Sequence, residues 1–438
     1  MTGTTGTPWH LISSPVTTQD IYTLVTTGGN AIAFIDPKYG LGYYDESADG
    51  FTTYTTTTAS EFGTPGPMTT AKGYEILRTS DGVVSFTGTI NTSDVPSYSI
   101  IRENQGWNLL GNPYPSAINA TAAIPADKLL NSTNVDNLDA SYAALYLWDP
   151  IADSYKTINN AGGTPTGTLS QDYIQAGQGF FVRAKDATSR VFDITEAMQT
   201  HQTDVAFRGD KVVWPGINLI VESEEKQRNT QIVFNAEMTN GLDISYDAGI
   251  FKSGTLSLYS RLIEDNGVDF SIQCLPEEYD ELVIPIGLDA LAGTNLVFSA
   301  EINDIPENCT FLLEDNQTGI ITELGQNSYT IELDAASNGI GRFYLHTNIN
   351  TIGIDNLYLH PEETFKIISN SQSGNIQILG TINQATNAKI YDMRGKLITS
   401  VQLSRNNENI IPFNNAQNGI YIIRFQSNDR IVSKKFNW

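Results

Sequence analysis

Asn418-Gly-Ile-Tyr-Ile-Ile-Arg-Phe425, a polar turn over Gln426–Arg430, and Ile431-Val-Ser-Lys-Lys-Phe-Asn-Trp438 close the chain. An Asn-Gly step opens a β-branched and aromatic run, and the polar turn leads into a second short run. These are the signals of two adjacent antiparallel strands. The second strand carries Lys434 and Lys435 at the end of an acidic chain. A basic end in that place reads as something meant to be recognised. Upstream, Lys389–Ile398 reads as strand, turn at Gly395, strand, and Ile410–Phe413 and Gly419–Tyr421 follow at hairpin spacing.

Three pieces occur in order here: Ile390-Tyr391-Asp392-x-x-Gly395-Lys396, Asn418-Gly419-Ile420-Tyr421-Ile422-Ile423, and the basic pair before Trp438. Together they make residues 352–438 resemble the type A C-terminal sorting domain carried by substrates of the type IX, or Por, secretion system. That family usually opens with an Asn-Pro pair after its first strand, whereas Leu359-His360-Pro361-Glu362 stands here and leaves the domain's start open. The resemblance makes Tyr391, Asp392, Gly395, Gly419, Tyr421, Lys434, Lys435 and Trp438 the sorting signal. It implies three partners: the outer-membrane translocon, its shuttle protein, and a sortase that removes the tail and attaches the body to a surface lipid. The destination is the outer cell surface or the medium. Such a protein begins with a signal peptide, and Met1-Thr-Gly-Thr-Thr-Gly-Thr7 has neither basic start nor apolar core. The expectation is therefore a mature or truncated form, or the C-terminal part of something longer.

The 438 residues exceed one ordinary core, and four domains are expected: 1–102, 103–205, 206–350 and 351–438. Asp and Glu number 49 against 25 Lys and Arg. The last 87 residues hold nine basic and six acidic side chains, which leaves sixteen against forty-three in the body. Such a body is poorly suited to nucleic acid, where affinity rests on cations that release counterions. It is equally unsuited to an anionic membrane surface, and no apolar run approaches the ~20 residues of a spanning helix. The plainest reading of the acidity is solubility.

The first two hundred residues contain a duplication. Gly6–Pro15 matches Gln105–Pro113, Tyr43–Phe51 matches Leu147–Tyr155, and Ala71–Leu77 matches Gly177–Arg183, at offsets of 98, 104 and 106. Order is kept while loops grow, so two copies of one β unit are expected, packed as a pseudo-twofold pair. Each copy reads as short strands separated by Gly, Pro, Asn and Asp, with Ala123–Leu130 the best short helix. Gly106–Pro115, with Gln178–Val182 downstream, also resembles a module of surface proteins of the same secretion route, and it carries no activity to transfer. From residue 206 the pattern lengthens into nine alternating strands, from Ile217–Ser223 to Gly341–Thr347, the mark of an immunoglobulin-like or jelly-roll sandwich. The fold class expected is all-β: tandem β-sandwich or jelly-roll-like domains ending in a small immunoglobulin-like sorting sandwich.

Cys274 and Cys309 both fall in the third segment, which allows one disulfide in an oxidising setting; two buried thiols is the alternative. The four histidines, His10, His201, His346 and His360, sit in no catalytic or metal motif, and no Gly-rich loop precedes a helix. A non-enzyme without cofactor is expected. Asp45-x-Ser47-x-Asp49-Gly50 has the oxygen spacing that opens a calcium loop, but Thr56 replaces the Glu at the twelfth position. An acidic hairpin turn is the plainer reading. Trp9, Tyr43, Tyr44, Trp107, Tyr114, Trp148 and Tyr155 could stack on sugar rings, or fill cores. Three functions follow: a secreted surface protein serving adhesion, surface attachment or gliding, with glycans or other surface proteins as partners; a carbohydrate-binding module; or the accessory C-terminal region of a longer enzyme.

Overall fold

A computed structural model describes residues 8–60, 66–121, 127–161, 173–201, 214–224, 226–279 and 282–349 of the body. In the tail it describes 366–370, 374–379, 386–392, 396–404, 408–413, 419–426 and 431–438. Strands dominate throughout, as the patterning requires. The chain forms two compact units, Met1–Thr351 and Ile352–Trp438, so the first three sequence segments lie within one unit.

The two copies repeat one sheet. In the first, His10–Ser13 lies beside Gly73–Ile76, then Lys38–Asp45, then Gly50–Thr55. In the second, Trp107–Gly111 lies beside Gly179–Arg183, then Leu145–Asp149, then Ser154–Ile158, and every pair in both sheets is antiparallel. The hairpins match residue for residue: Asp49 and Asp153 both adopt the left-handed conformation, at φ 49° and 51°, which Asp tolerates in tight turns. A buried Asn is repeated as well. The Asn30 amide donates to the carbonyls of Leu24 and Ser85 and accepts the Ser85 N–H. The Asn134 amide does the same with Leu129 and Asp193. The strand Val95–Ile100 pairs with Arg190–Ile194, so the second copy's sheets begin before residue 103.

The copies meet about a pseudo-twofold axis. The Ser13 N–H donates to the Gly177 carbonyl at 2.9 Å, and the equivalent Gly111 N–H donates to the Ala71 carbonyl at 2.9 Å. The isolated bridges Ile12–Gln178 and Lys72–Leu110 are likewise exchanged by the axis. This is the reciprocal pattern of an isologous dimer interface, written within one chain. A side chain at Gly111 would collide with that of Ser13.

The helical expectation at Ala123–Leu130 needs correction. Residues 127–130 form turns, 122–126 lie outside the described residues, and the helical turn is Ser132–Val135, whose N-terminus is capped by the Asn131 side chain. Cap chemistry there outweighed the apolar spacing upstream.

Residues 214–349 form a rolled sheet of eleven strands around one core that includes Leu219, Phe234, Leu258, Phe298, Phe311 and Phe343. All nine expected strands are present, within one to three residues at most ends. The two additions are Ala248–Gly249 and Ile320–Glu323. Phe270–Leu275 is buried on both faces: it pairs in parallel with Gln227–Phe234, and it turns Ile272 and Cys274 toward the second copy.

The tail is a seven-stranded sandwich among the described residues. Lys366–Asn370, Asn375–Leu379 and Glu408–Pro412 form one sheet. Leu397–Leu403, Thr386–Asp392, Ile420–Gln426 and Ile431–Asn437 form the other. Ile376, Ile378, Ile390, Ile411, Ile423 and Phe425 fill the space between, at the alternate positions that a sheet with one buried face demands.

Candidate functional sites: the terminal strand pair and the aromatic face of the body

The closing stretch forms the expected pair. Ile420–Gln426 runs antiparallel to Ile431–Asn437, with Ile423 opposite Lys434 and Ile422 opposite Lys435. Past the last strand, Trp438 and Gly419 exchange both backbone hydrogen bonds, at 3.0 and 2.8 Å. The Trp438 ring meets Phe413 edge-on at 5.0 Å, and Phe413 meets the buried Tyr421 ring edge-on at 5.1 Å. The chain end therefore closes the sandwich core. Ile431–Asn437 is an edge strand of its sheet, the kind of edge that can accept another strand. Tyr391 lies opposite Ile422, and Asp392 opposite Tyr421, on the neighbouring strand. Gly395 and the side chains of Asp392, Lys434 and Lys435 lie outside the described residues.

In the body, the aromatic residues gather where the second copy meets the rolled sheet. Phe251 lies between two parallel rings, Trp107 at 3.9 Å with 6° between planes and Tyr155 at 4.1 Å with 4°. Tyr146 and Phe181 meet it edge-on at 6.1 and 5.5 Å. Tyr44 packs edge-on against Phe181 at 5.0 Å, Tyr43 packs on Tyr54, and the Trp148 indole N–H donates to the Trp9 carbonyl. Tyr114 is buried, its hydroxyl shared between the Ser93 and Ile194 carbonyls. Most rings picked out as a sugar-stacking surface are thus engaged in packing.

The calcium candidate is a hairpin turn. Asp45 Oδ1 accepts the Ser47 N–H at 3.1 Å and its hydroxyl at 2.7 Å, while Asp49 accepts the Tyr44 hydroxyl. Between them Glu46 reaches into the connection toward the second copy, where its carboxylate accepts the N–H groups of Glu103, Asn104 and Gly106. Among the described residues no group of three or more His, Cys, Asp or Glu side chains is placed to hold a metal. Of the histidines, His346 shares a hydrogen bond with the Glu314 carboxylate at 2.7 Å, and His360 lies outside the described residues.

Cys274 and Cys309 are not joined by a disulfide. The Cys274 thiol faces the second copy, whereas Cys309 packs against the sheet's own core, so the two point to opposite sides. Burial pushes the Cys274 thiol well above its ordinary pKa, which leaves it unreactive.

Two acids were not legible in the sequence. Asp247 is fully buried, accepting the N–H of Cys274 at 2.6 Å and that of Asp243 at 2.7 Å, and burial raises its pKa to about 7 despite those bonds. Glu75 stands where the second copy has Phe181, and burial raises it to about 7 as well. The equivalence of Glu75 and Phe181 is visible once the copies are aligned. The pairing of Phe251 with Trp107 has no local signal at all.

Fold and sites define an all-β protein with a duplicated, aromatic-rich body and a separate terminal sandwich. The body matches the family model described as Domain of unknown function (DUF8693) over residues 5–347, and the chain belongs to that family. Residues 366–437 match the secretion system C-terminal sorting domain, which makes the chain a type IX secretion substrate. No curated protein matches the chain. The tail marks the protein for export to the cell surface or the extracellular space by the type IX machinery. Among the described residues no helix is long and apolar enough to cross a membrane.

Proposed function

We propose that this is a non-enzymatic surface protein whose body serves adhesion or surface attachment, the tail being read by the translocon and its shuttle and then removed by a sortase. The observation that carries the reading is the terminal sandwich matched by the sorting-domain model, a unit with its own core and its own edge strand. A self-contained address can be recognised without disturbing the body. For the body, support comes from what its polar groups do: Asp45 and Asp49 hold a turn, and Glu46 and Asp247 hold backbone N–H groups of distant segments. Acids so committed suit a scaffold better than general acid–base work, which needs the group within reach of a substrate proton.

Deleting Lys434–Trp438 removes half of the last strand and the ring that covers Phe413. In a type IX-competent host the truncated protein is expected to keep a folded body, resistant to protease, and to stay inside the cell. Export of the truncated chain at the level of the full one would refute the assignment.

A further inference from the structure

We propose that the first copy's equivalent of the Phe251 site, between Trp9 and Phe51 above Glu75, is a docking site for an arginine side chain of a partner protein. The pseudo-twofold axis carries the second copy's box onto the first. Trp107 corresponds to Trp9, Tyr155 to Phe51, Phe181 to Glu75 and Tyr146 to Gly42. Even the flanking contact is kept, Tyr44 meeting Phe51 edge-on at 5.4 Å as Trp148 meets Tyr155 at 5.0 Å. In the second copy the chain supplies the flat guest itself, Phe251. In the first, no described ring of the rolled sheet stacks on Trp9 or Phe51, and Phe51 is 39% exposed.

The differences between the boxes specify the guest. A carboxylate replaces one floor ring, and the other is replaced by Gly42, over which the Glu75 side chain lies: a Cβ there would meet Glu75 Oε1 at 2.6 Å. No hydrogen-bond donor meets Glu75 among the described residues, although the residue is half-buried. A half-buried carboxylate without a donor favours a cation, and flanking aromatic faces favour a flat one. Guanidinium is flat like the phenyl ring it would replace, and it donates two parallel bonds to a carboxylate, which ammonium does not. The acidic body would draw such a segment in. The inference concerns what the body binds and stands apart from the export route.

The test titrates the full chain with the labelled peptide Gly-Gly-Arg-Gly-Gly and its Lys and Gln counterparts at physiological ionic strength, followed by fluorescence anisotropy. Saturable binding in the order Arg, Lys, Gln is expected. Glu75→Gln is expected to weaken the arginine peptide at least about tenfold, since a charge-assisted bidentate pair is lost. Asp81→Asn, at an exposed acid, should leave it unchanged. Glu75→Gln relieves the cost of burying a charge, so the fold is not at risk. Glu75→Phe, which restores the second copy's pattern, should abolish binding. Equal affinity in Glu75→Gln, or no saturation at millimolar peptide, would overturn the proposal.

Discussion

Glu75 and Asp247 hold their protons more tightly in the folded protein than in the unfolded chain, since burial raises both to about 7 from ordinary carboxyl values. Stability from such groups is complete below the unfolded pKa and is lost as pH rises through about 7. Asp186 and Asp315 act oppositely. Hydrogen bonds from Arg190 hold Asp186 below the ordinary range. At Asp315 burial pushes the carboxyl up but is outweighed by hydrogen bonds from Arg342, Tyr329 and the Gln317 N–H, so the contribution of both is lost only in stronger acid. The body is therefore expected to lose stability as pH rises from about 4 to about 7 and to change little from these groups above that. In Glu75→Gln this loss should shrink by about 1–2 kcal/mol once solvent screening is allowed for. Urea unfolding at several pH values measures this, and an unaltered slope in Glu75→Gln would show that Glu75 titrates normally. At this scale the sequence was only partly legible. Asp45, Ser47 and Asp49 were recognised as a polar turn, but the buried Glu46 between them takes its partners from nearly sixty residues away, and no local pattern encodes that.

Among the elements, those read from periodicity came through best. The nine strands of residues 214–349 alternate clearly enough to be recognised, as do the terminal strands and the duplicated hairpins. What escaped is short or exposed: Ala248–Gly249 is two residues long, and Ile320–Glu323 leaves Ile320 and Ile321 about half exposed, blurring the alternation. The disulfide failed for a reason of facing, because a one-residue shift in a strand moves a side chain to the opposite side of the sheet. The loop that carries Phe251 follows Ala248–Gly249 and fastens the rolled sheet to the second copy. Phe251→Ala should cost about 3 kcal/mol, the usual loss for a large aromatic removed from a packed site. Denaturant unfolding of the whole chain reports it. A loss of only a few tenths would mean that the ring merely rests on the surface.

For the whole molecule, the division of labour follows charge and topology. The body carries forty-three acids against sixteen bases, whereas the tail is slightly basic and has a core of its own. Two copies related by a pseudo-twofold axis could have bound the same thing twice. Instead the chain's own Phe251 occupies one of the equivalent sites, and Glu75 alters the other. Duplication followed by divergence has thus left a scaffold half and an open half, whatever the body meets outside the cell. That the protein gets there rests on its last unit, so the decisive quantity is where it accumulates. The full chain, given a signal peptide, would be expressed in a type IX-competent host and in the same host lacking the translocon, and the surface and intracellular fractions measured by immunoblot. Surface or medium accumulation in the first and retention in the second is the expected result. Equal surface accumulation in both would mean that the terminal sandwich is a structural domain and that the protein leaves the cell by another route.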